Sequence, residues 1–272
     1  MGDAPSAGFT AATLPEAYDR WMAPQLFEPW ARELLGRVRL RPGQAVLDVA
    51  TGPGTVARLA AAEVGPEGRV VATDISPAML AVAEAKPCDP AWAPIDYRHG
   101  SATAIDAGDA TFDAVVCQQG LQFFDDRALA VTEMRRVARP GGTVAVATWA
   151  AEHPLGLFGS MIEALVAGGV DEPFPGAFDV ESYRMARGPL GDLLDQAGLQ
   201  AVVVETLHHD AVWADLGAAV ATVQGTPYGP LVAALAPEQQ EDVRHLLARR
   251  LPAAADGTVS VRTTSHVARA RA

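Results

Sequence analysis

Short apolar runs alternate along this chain with longer amphipathic stretches, and glycine and proline separate them. Residues 1–40 read as helical, because Leu26, Trp30, Leu34 and Val38 recur at four-residue spacing before Arg41-Pro42-Gly43 breaks the pattern. Residues 45–49 form an apolar run short enough for a buried strand. Gly52-Pro53-Gly54 then turns the chain into a helix over 55–64, which Gly65-Pro66 stops. A second strand at 69–73 ends at Asp74. Ser76-Pro77 supplies an N-cap and a proline at the first helical position, opening a helix that reaches Lys86. Strands are expected next at 96–99, 112–117 and 143–149. Between the last two, Asp126 caps a helix with Ala130, Met134 and Val137 on one face, and Arg139-Pro140-Gly141-Gly142 ends it.

Beyond Trp149 the rhythm loosens. Helices are expected at 158–166 and 190–197, the latter closed by Gly198, and strands at 201–207 and 258–268. Residues 214–250 read as helical, interrupted at 225–230. Strands alternating with helices call for an α/β fold, a mostly parallel sheet covered on both faces.

Charge narrows the function. The 272 residues carry 33 acids and 21 bases, a net −12, which argues against nucleic acid or an anionic membrane as partner. No basic segment followed by an apolar one opens the chain, and no uninterrupted apolar stretch is long enough to span a bilayer, so a cytoplasmic protein is expected. Cys88 and Cys117 are too few for a disulfide framework or a four-cysteine metal site. Lys86 is the only lysine and asparagine is absent, a usage typical of a GC-rich bacterial genome.

The strongest chemical signal is the run from Leu47 through Asp48, Ala50 and Thr51 to Gly52-Pro53-Gly54, with Asp74 closing the next strand. Read loosely, Gly52 to Ala57 satisfies a dinucleotide fingerprint. Asp48 opposes that reading, since a carboxylate beside the cradle repels a pyrophosphate at a helix N-terminus. It favours a ligand bearing an ammonium and a sulfonium, as S-adenosylmethionine does. Asp74 would accept from both ribose hydroxyls.

These residues resemble the class I S-adenosylmethionine-dependent methyltransferases of small-molecule type, from about Tyr18 to the C-terminus and most specifically over 45–149. Asp48 to Gly54 matches their first motif, with Ala50 in place of the usual first glycine. Asp74-Ile75-Ser76-Pro77-Ala78-Met79-Leu80 matches the acidic end of strand two and the following helix. The resemblance implies a Rossmann-like three-layer sandwich with sheet order 3-2-1-4-5-7-6 and strand seven antiparallel. It divides a single domain into an N-terminal helical cap (1–40), a cofactor-binding core (41–150), a substrate-side segment with strand six (151–207), a helical lid insertion (208–257) and strand seven (258–272). It places Asp74 on ribose, Ile75 and Met79 on adenine, and Gln118 beside the methionine part, with Tyr18 and Met22 closing over the cofactor. Ser101 stands where relatives carry a carboxylate for the adenine amino group, and the Ala102 N–H is the remaining contact. Gln118-Gln119-Gly120-Leu121 lacks the tetrad of DNA adenine methyltransferases. Pro87-Cys88 lies in the wrong place for a cytosine-C5 nucleophile.

For the acceptor, Gln119, Gln122, Phe123, Trp149, Phe158, Trp213 and Tyr228 fall in segments able to line a pocket. His153, His208 and His209 are the candidates for acid/base work or substrate positioning, and no metal site is expected. The implied reaction is in-line methyl transfer to an O, N or C nucleophile of a small molecule in specialised metabolism, with S-adenosylhomocysteine as by-product, by a monomer or homodimer. A non-methylating cyclase using the same pocket and a nicotinamide-dependent oxidoreductase are the alternatives.

Overall fold

The computed structural model describes residues 14–153, 156–172, 179 and 183–272. The expected N-terminal helical stretch therefore lies outside the described residues over 1–13. The rest opens with α1 (Leu14–Trp21), a π-helical turn (Ala23–Phe27) and α2 (Glu28–Val38).

The core follows as β1 (Ala45–Val49), α3 (Thr55–Val64), β2 (Arg69–Asp74), α4 (Pro77–Glu84), β3 (Ile95–His99) and β4 (Phe112–Gln118). A 3₁₀ turn (Leu121–Phe123), α5 (Arg127–Val137) and β5 (Ala138–Trp149) complete it. Then come α6 (Gly156–Ala167), α7 (Arg187–Gln196), β6 (Gln200–Trp213), α8 (Leu216–Ala221), a 3₁₀ turn (Thr222–Gly225), α9 (Gly229–Ala234), α10 (Pro237–Ala248) and β7 (Val259–Arg271).

Seven strands form one sheet in the order β3-β2-β1-β4-β5-β7-β6. β1 to β5 pair in parallel, and β7 runs antiparallel to both β5 and β6. Every residue of β1 is buried, as a strand covered on both faces requires. Its alternation divides two cores: Val46 and Val116 pack with Leu34, Val56 and Ala60, while Leu47 and Val115 pack with Met134, Leu190 and Leu194. Among the described residues no helix is long and apolar enough to cross a membrane.

Three elements differ from expectation for identifiable reasons. α4 ends at Glu84 rather than Lys86, because Pro87 disfavours helical backbone in the residue before it. β5 starts at Ala138: Ala138 stands opposite Phe112 and Thr143 opposite Ala114, so Arg139–Gly142 is accommodated as a bulge in the strand. β6 continues through His208 and His209 to Trp213 because those residues pair with Val259 to Thr264 of β7, and the helical stretch begins only at Leu216.

Candidate active site

β1 delivers the chain into a tight turn at the carboxyl end of the sheet. Ala50, Gly52 and Gly54 all adopt positive φ, at 57°, 55° and 83°. Gly54 needs that freedom twice over, since a Cβ there would also stand 2.8 Å from the Tyr97 hydroxyl. Ala50 bears the strain of the left-handed region as a non-glycine, at about 1 kcal/mol. Its methyl has room because residue 120 is glycine; a Cβ on Gly120 would lie 2.7 Å from that of Ala50. Gly120→Ala should therefore destabilise the protein by about 1–3 kcal/mol, and Ala50→Gly should rescue it in the double variant. Thermal unfolding of the two single variants and the double tests this, and strictly additive losses would refute the coupling.

Asp74 ties the turn to β2. Its Oδ2 accepts from the Gly52 N–H at 2.7 Å and its Oδ1 from the Ser76 N–H at 2.8 Å. Burial raises its pKa, and the Ser76 and Gly52 amides counter that rise. Asp48 is 1% exposed. The Thr51 hydroxyl donates to its Oδ2 at 2.5 Å, while Oδ1 has no partner. Burial lifts its pKa to about 7.

A cavity of about 480 Å³ opens above this turn. One half is bounded by Ala50, Gly52, Asp74, Ile75, Met79, Ser101, Ala102 and Gln118, all expected from the sequence to face the cofactor. The other half is aromatic: Tyr18 stacks on Phe27 with centroids 4.8 Å apart, Phe27 meets Trp149 at 6.0 Å, and Trp149 meets Phe158 at 6.4 Å. Phe123 and Tyr183 face each other at 5.4 Å, and Tyr228 hydrogen-bonds Tyr183. α1 closes one wall, packed on the 3₁₀ turn at Gly225, so Tyr18 and Met22 meet the insertion across the cavity. Lys86 pins α1 down, pairing with Asp19 while its Nζ donates to the Pro53 carbonyl at 2.7 Å.

Several residues named from the sequence stand outside the lining. Asp48 lies beneath the turn, behind Thr51, and Gly54 starts α3 with its α-carbon against Tyr97 and Ala83. Gln122 is buried with its amide donating to Gln119 Oε1 at 3.3 Å, and Trp213 is fully buried in the core. The three histidines also miss the cavity. His208 Nδ1 meets the Thr264 hydroxyl at 2.9 Å, with the His153 ring edge-on at 5.2 Å. His209, on the opposite strand face, meets Glu33 at 3.0 Å and the edge of Trp30. Gln119, Phe123, Trp149, Phe158 and Tyr228 do line it. Phe124, an aromatic of the same segment as Phe123, lines it too, and Phe27, Tyr183, Thr226 and Pro227 join them without having been singled out in the sequence, since only tertiary packing brings their segments here.

Residues 47–146 match the family model described as a methyltransferase domain. Those residues form a methyltransferase domain of the S-adenosylmethionine-dependent type, and the sheet around them has that fold's strand order. A ubiquinone/menaquinone biosynthesis C-methyltransferase of Legionella pneumophila is 35% identical over 133 residues, 47% of this chain and 53% of that protein. The chain thus spans about half the length of the curated relatives it matches. The fold is similar to phosphoethanolamine N-methyltransferase 2 of Haemonchus contortus in complex with S-adenosyl-L-methionine (TM-score 0.62, 18% identity, 96% of this chain and 57% of that one). It is also similar to the [4+2]-cyclase SpnF (TM-score 0.55, 16% identity, 90% and 81%).

The cavity fits the family's cofactor by its own chemistry. Among the described lining residues Asp74, Asp125 and Asp126 are the charged groups, and none is Lys, Arg or His. A pyrophosphate would meet repulsion there without a cation to offset it, whereas a sulfonium and an ammonium are attracted.

Proposed function

We propose that this methyltransferase transfers a methyl group from S-adenosylmethionine to an oxygen, nitrogen or carbon of a flat, uncharged, largely apolar small molecule. The observation that carries the reading is one continuous cavity with an acidic, glycine-turn half and an aromatic half free of Lys, Arg and His among the described residues. Bound in the first half, S-adenosylmethionine supplies an electrophilic methyl group. Asp74 would hold the ribose, Ile75 and Met79 the adenine, and Tyr18, Met22 and Gln118 the methionine end.

The chain's own contribution is then positioning and exclusion of water, which together account for a large share of such barriers. Phe27, Trp149 and Phe158 present an apolar wall for the acceptor. Burial raises the Tyr183 and Tyr228 phenols, so both stay protonated; with one proton used in the hydrogen bond between them, the other is left to donate to an acceptor oxygen. Gln119 is held at both ends, by Ser265 and Gln122, and is a fixed part of the floor. With no imidazole among the described lining residues, the acceptor reaches its nucleophilic form without a histidine base, as an acidic phenol or enol does.

His153→Ala and His208→Ala should accordingly lower turnover by less than about tenfold, against the hundredfold or more expected for a general base. A hundredfold loss in either would return that histidine to the mechanism. The helices after β6 would act as a lid over the acceptor, with a monomer or homodimer as the working form. The lack of asparagine and the single lysine, together with bacterial relatives, support a bacterial source, and the setting proposed is specialised metabolism in the cytoplasm.

Incubation with S-adenosylmethionine and a panel of phenolic and enolic acceptors, read by product mass, tests the proposal. A gain of one CH₂ on a neutral aromatic acceptor is expected. Unchanged mass with altered structure would replace the proposal with cyclisation, and methylation confined to charged acceptors would overturn the substrate class.

A further inference from the structure

A second concavity, of about 440 Å³, lies at the other end of the sheet, where β1, β4 and β5 begin and β7 ends. Five arginines line it: Arg39 at the end of α2, Arg41 in the following turn, Arg139 in the β5 bulge, and Arg269 and Arg271 on β7. The last two are two residues apart on a strand and so share a face.

One side-chain carboxylate, Asp113, stands among them with both its oxygens engaged, and the last residue, Ala272, lies beside them with its oxygen accepting from the Gly141 N–H at 2.8 Å. Asp113 Oδ1 pairs with Arg139 at 2.5 Å and Oδ2 accepts from the Ala45 N–H at 2.8 Å. Arg271 is held too, donating to the Gly141 carbonyl at 3.1 Å and the Thr143 hydroxyl at 2.8 Å. Arg39, Arg41 and Arg269 make no side-chain hydrogen bond or ion pair with any described residue. Three unneutralised guanidinium groups thus border one hollow in a chain whose net charge is −12. Like charges gathered in a concavity repel one another, and the α2 C-terminus with Asp113 offsets only part of the excess.

We propose that this hollow binds a compact polyphosphate, either the inorganic ion or the di- or triphosphate portion of a nucleotide. Guanidinium forks match phosphate oxygens, and three free forks call for about three negative charges. The ligand is compact because the hollow encloses only about 440 Å³. The site is separate from the cofactor cavity, with which it shares no lining residue.

Calorimetric titration with sodium triphosphate tests this, using the wild type, Arg41→Gln, Arg269→Gln and the triple variant that adds Arg39→Gln. Arg39 and Arg41 are exposed, Arg269 is half-buried near the end of β7, and none of the three side chains has a partner among the described residues, so the substitutions should leave the fold intact, as far-UV circular dichroism would check. We expect saturable one-to-one binding that weakens with salt, a loss of about tenfold per arginine, and no binding by the triple variant. Binding of ATP with the same variant dependence would support the nucleotide form, and triphosphate binding without ATP binding the inorganic one. No saturable heat, unchanged binding by the triple variant, or capture of polyglutamate that triphosphate fails to displace would overturn the proposal.

Discussion

Asp48→Asn is expected to raise the stability of the cofactor-free protein at pH 8 while weakening its hold on S-adenosylmethionine. The Asp48 carboxyl is buried, has one oxygen without a partner, and titrates near pH 7 instead of 3.8. A folded pKa above the unfolded one means that between those values the native state binds more protons, so stability falls as pH rises through about 7. At 1.36 kcal/mol per pKa unit, ionised Asp48 costs the fold about 4 kcal/mol. Asparagine removes the charge but buries an amide N–H₂ beside Thr51, returning about 1–3 kcal/mol of that gain. A net gain of about 2 kcal/mol would raise the melting temperature by about 4–8 °C. Thermal scans at pH 5.5 and pH 8 check this: the wild type should lose stability between them, and the variant should lose much less. An identical pH slope in both would remove Asp48 from the account. The carboxylate's destabilising charge is what a cationic cofactor above the turn would offset, so Asp48→Asn should lose affinity several-fold.

Asp74→Ala should weaken S-adenosylmethionine binding by about a hundredfold or more. The substitution removes the acceptor proposed for the ribose hydroxyls and releases the Gly52 and Ser76 amides that fix the turn. Two hydrogen bonds to a charged group, at about 1.5 kcal/mol each, reach that factor. Asp74→Asn separates the contributions, since it keeps one carbonyl acceptor and loses the charge; an intermediate loss is expected. Circular dichroism distinguishes lost binding from lost fold.

Much of this was legible because local signals coincide with tertiary ones. β1 and α3 occupy the residues their apolar pattern and glycine punctuation indicate, and Asp126 caps α5 through the Leu129 N–H. Asp74 was legible as a strand-end acid. Asp48 was recognised as chemically important, but its burial beneath the turn was not, because an apolar strand covered on both faces gives no clue to the direction of its one acid. Polar and partly exposed, the 208–213 stretch concealed the rest of β6, whose partner lies some fifty residues later in β7. Tyr183 and the turn before Tyr228 join the cavity only through packing against α1 and Phe123, which no local pattern encodes. Lys86 anchors α1 over the glycine turn through Asp19 and the Pro53 carbonyl, contacts that no local pattern around it encodes.

On this reading the cavity selects a cationic, phosphate-free cofactor by its acidic turn. Parallel calorimetric titration of the wild-type protein with S-adenosylmethionine and with NADH tests it most directly. Saturable one-site heat with S-adenosylmethionine and none with NADH at the cavity is the predicted result; NADH binding lost in Asp74→Ala, with no response to S-adenosylmethionine, would contradict it.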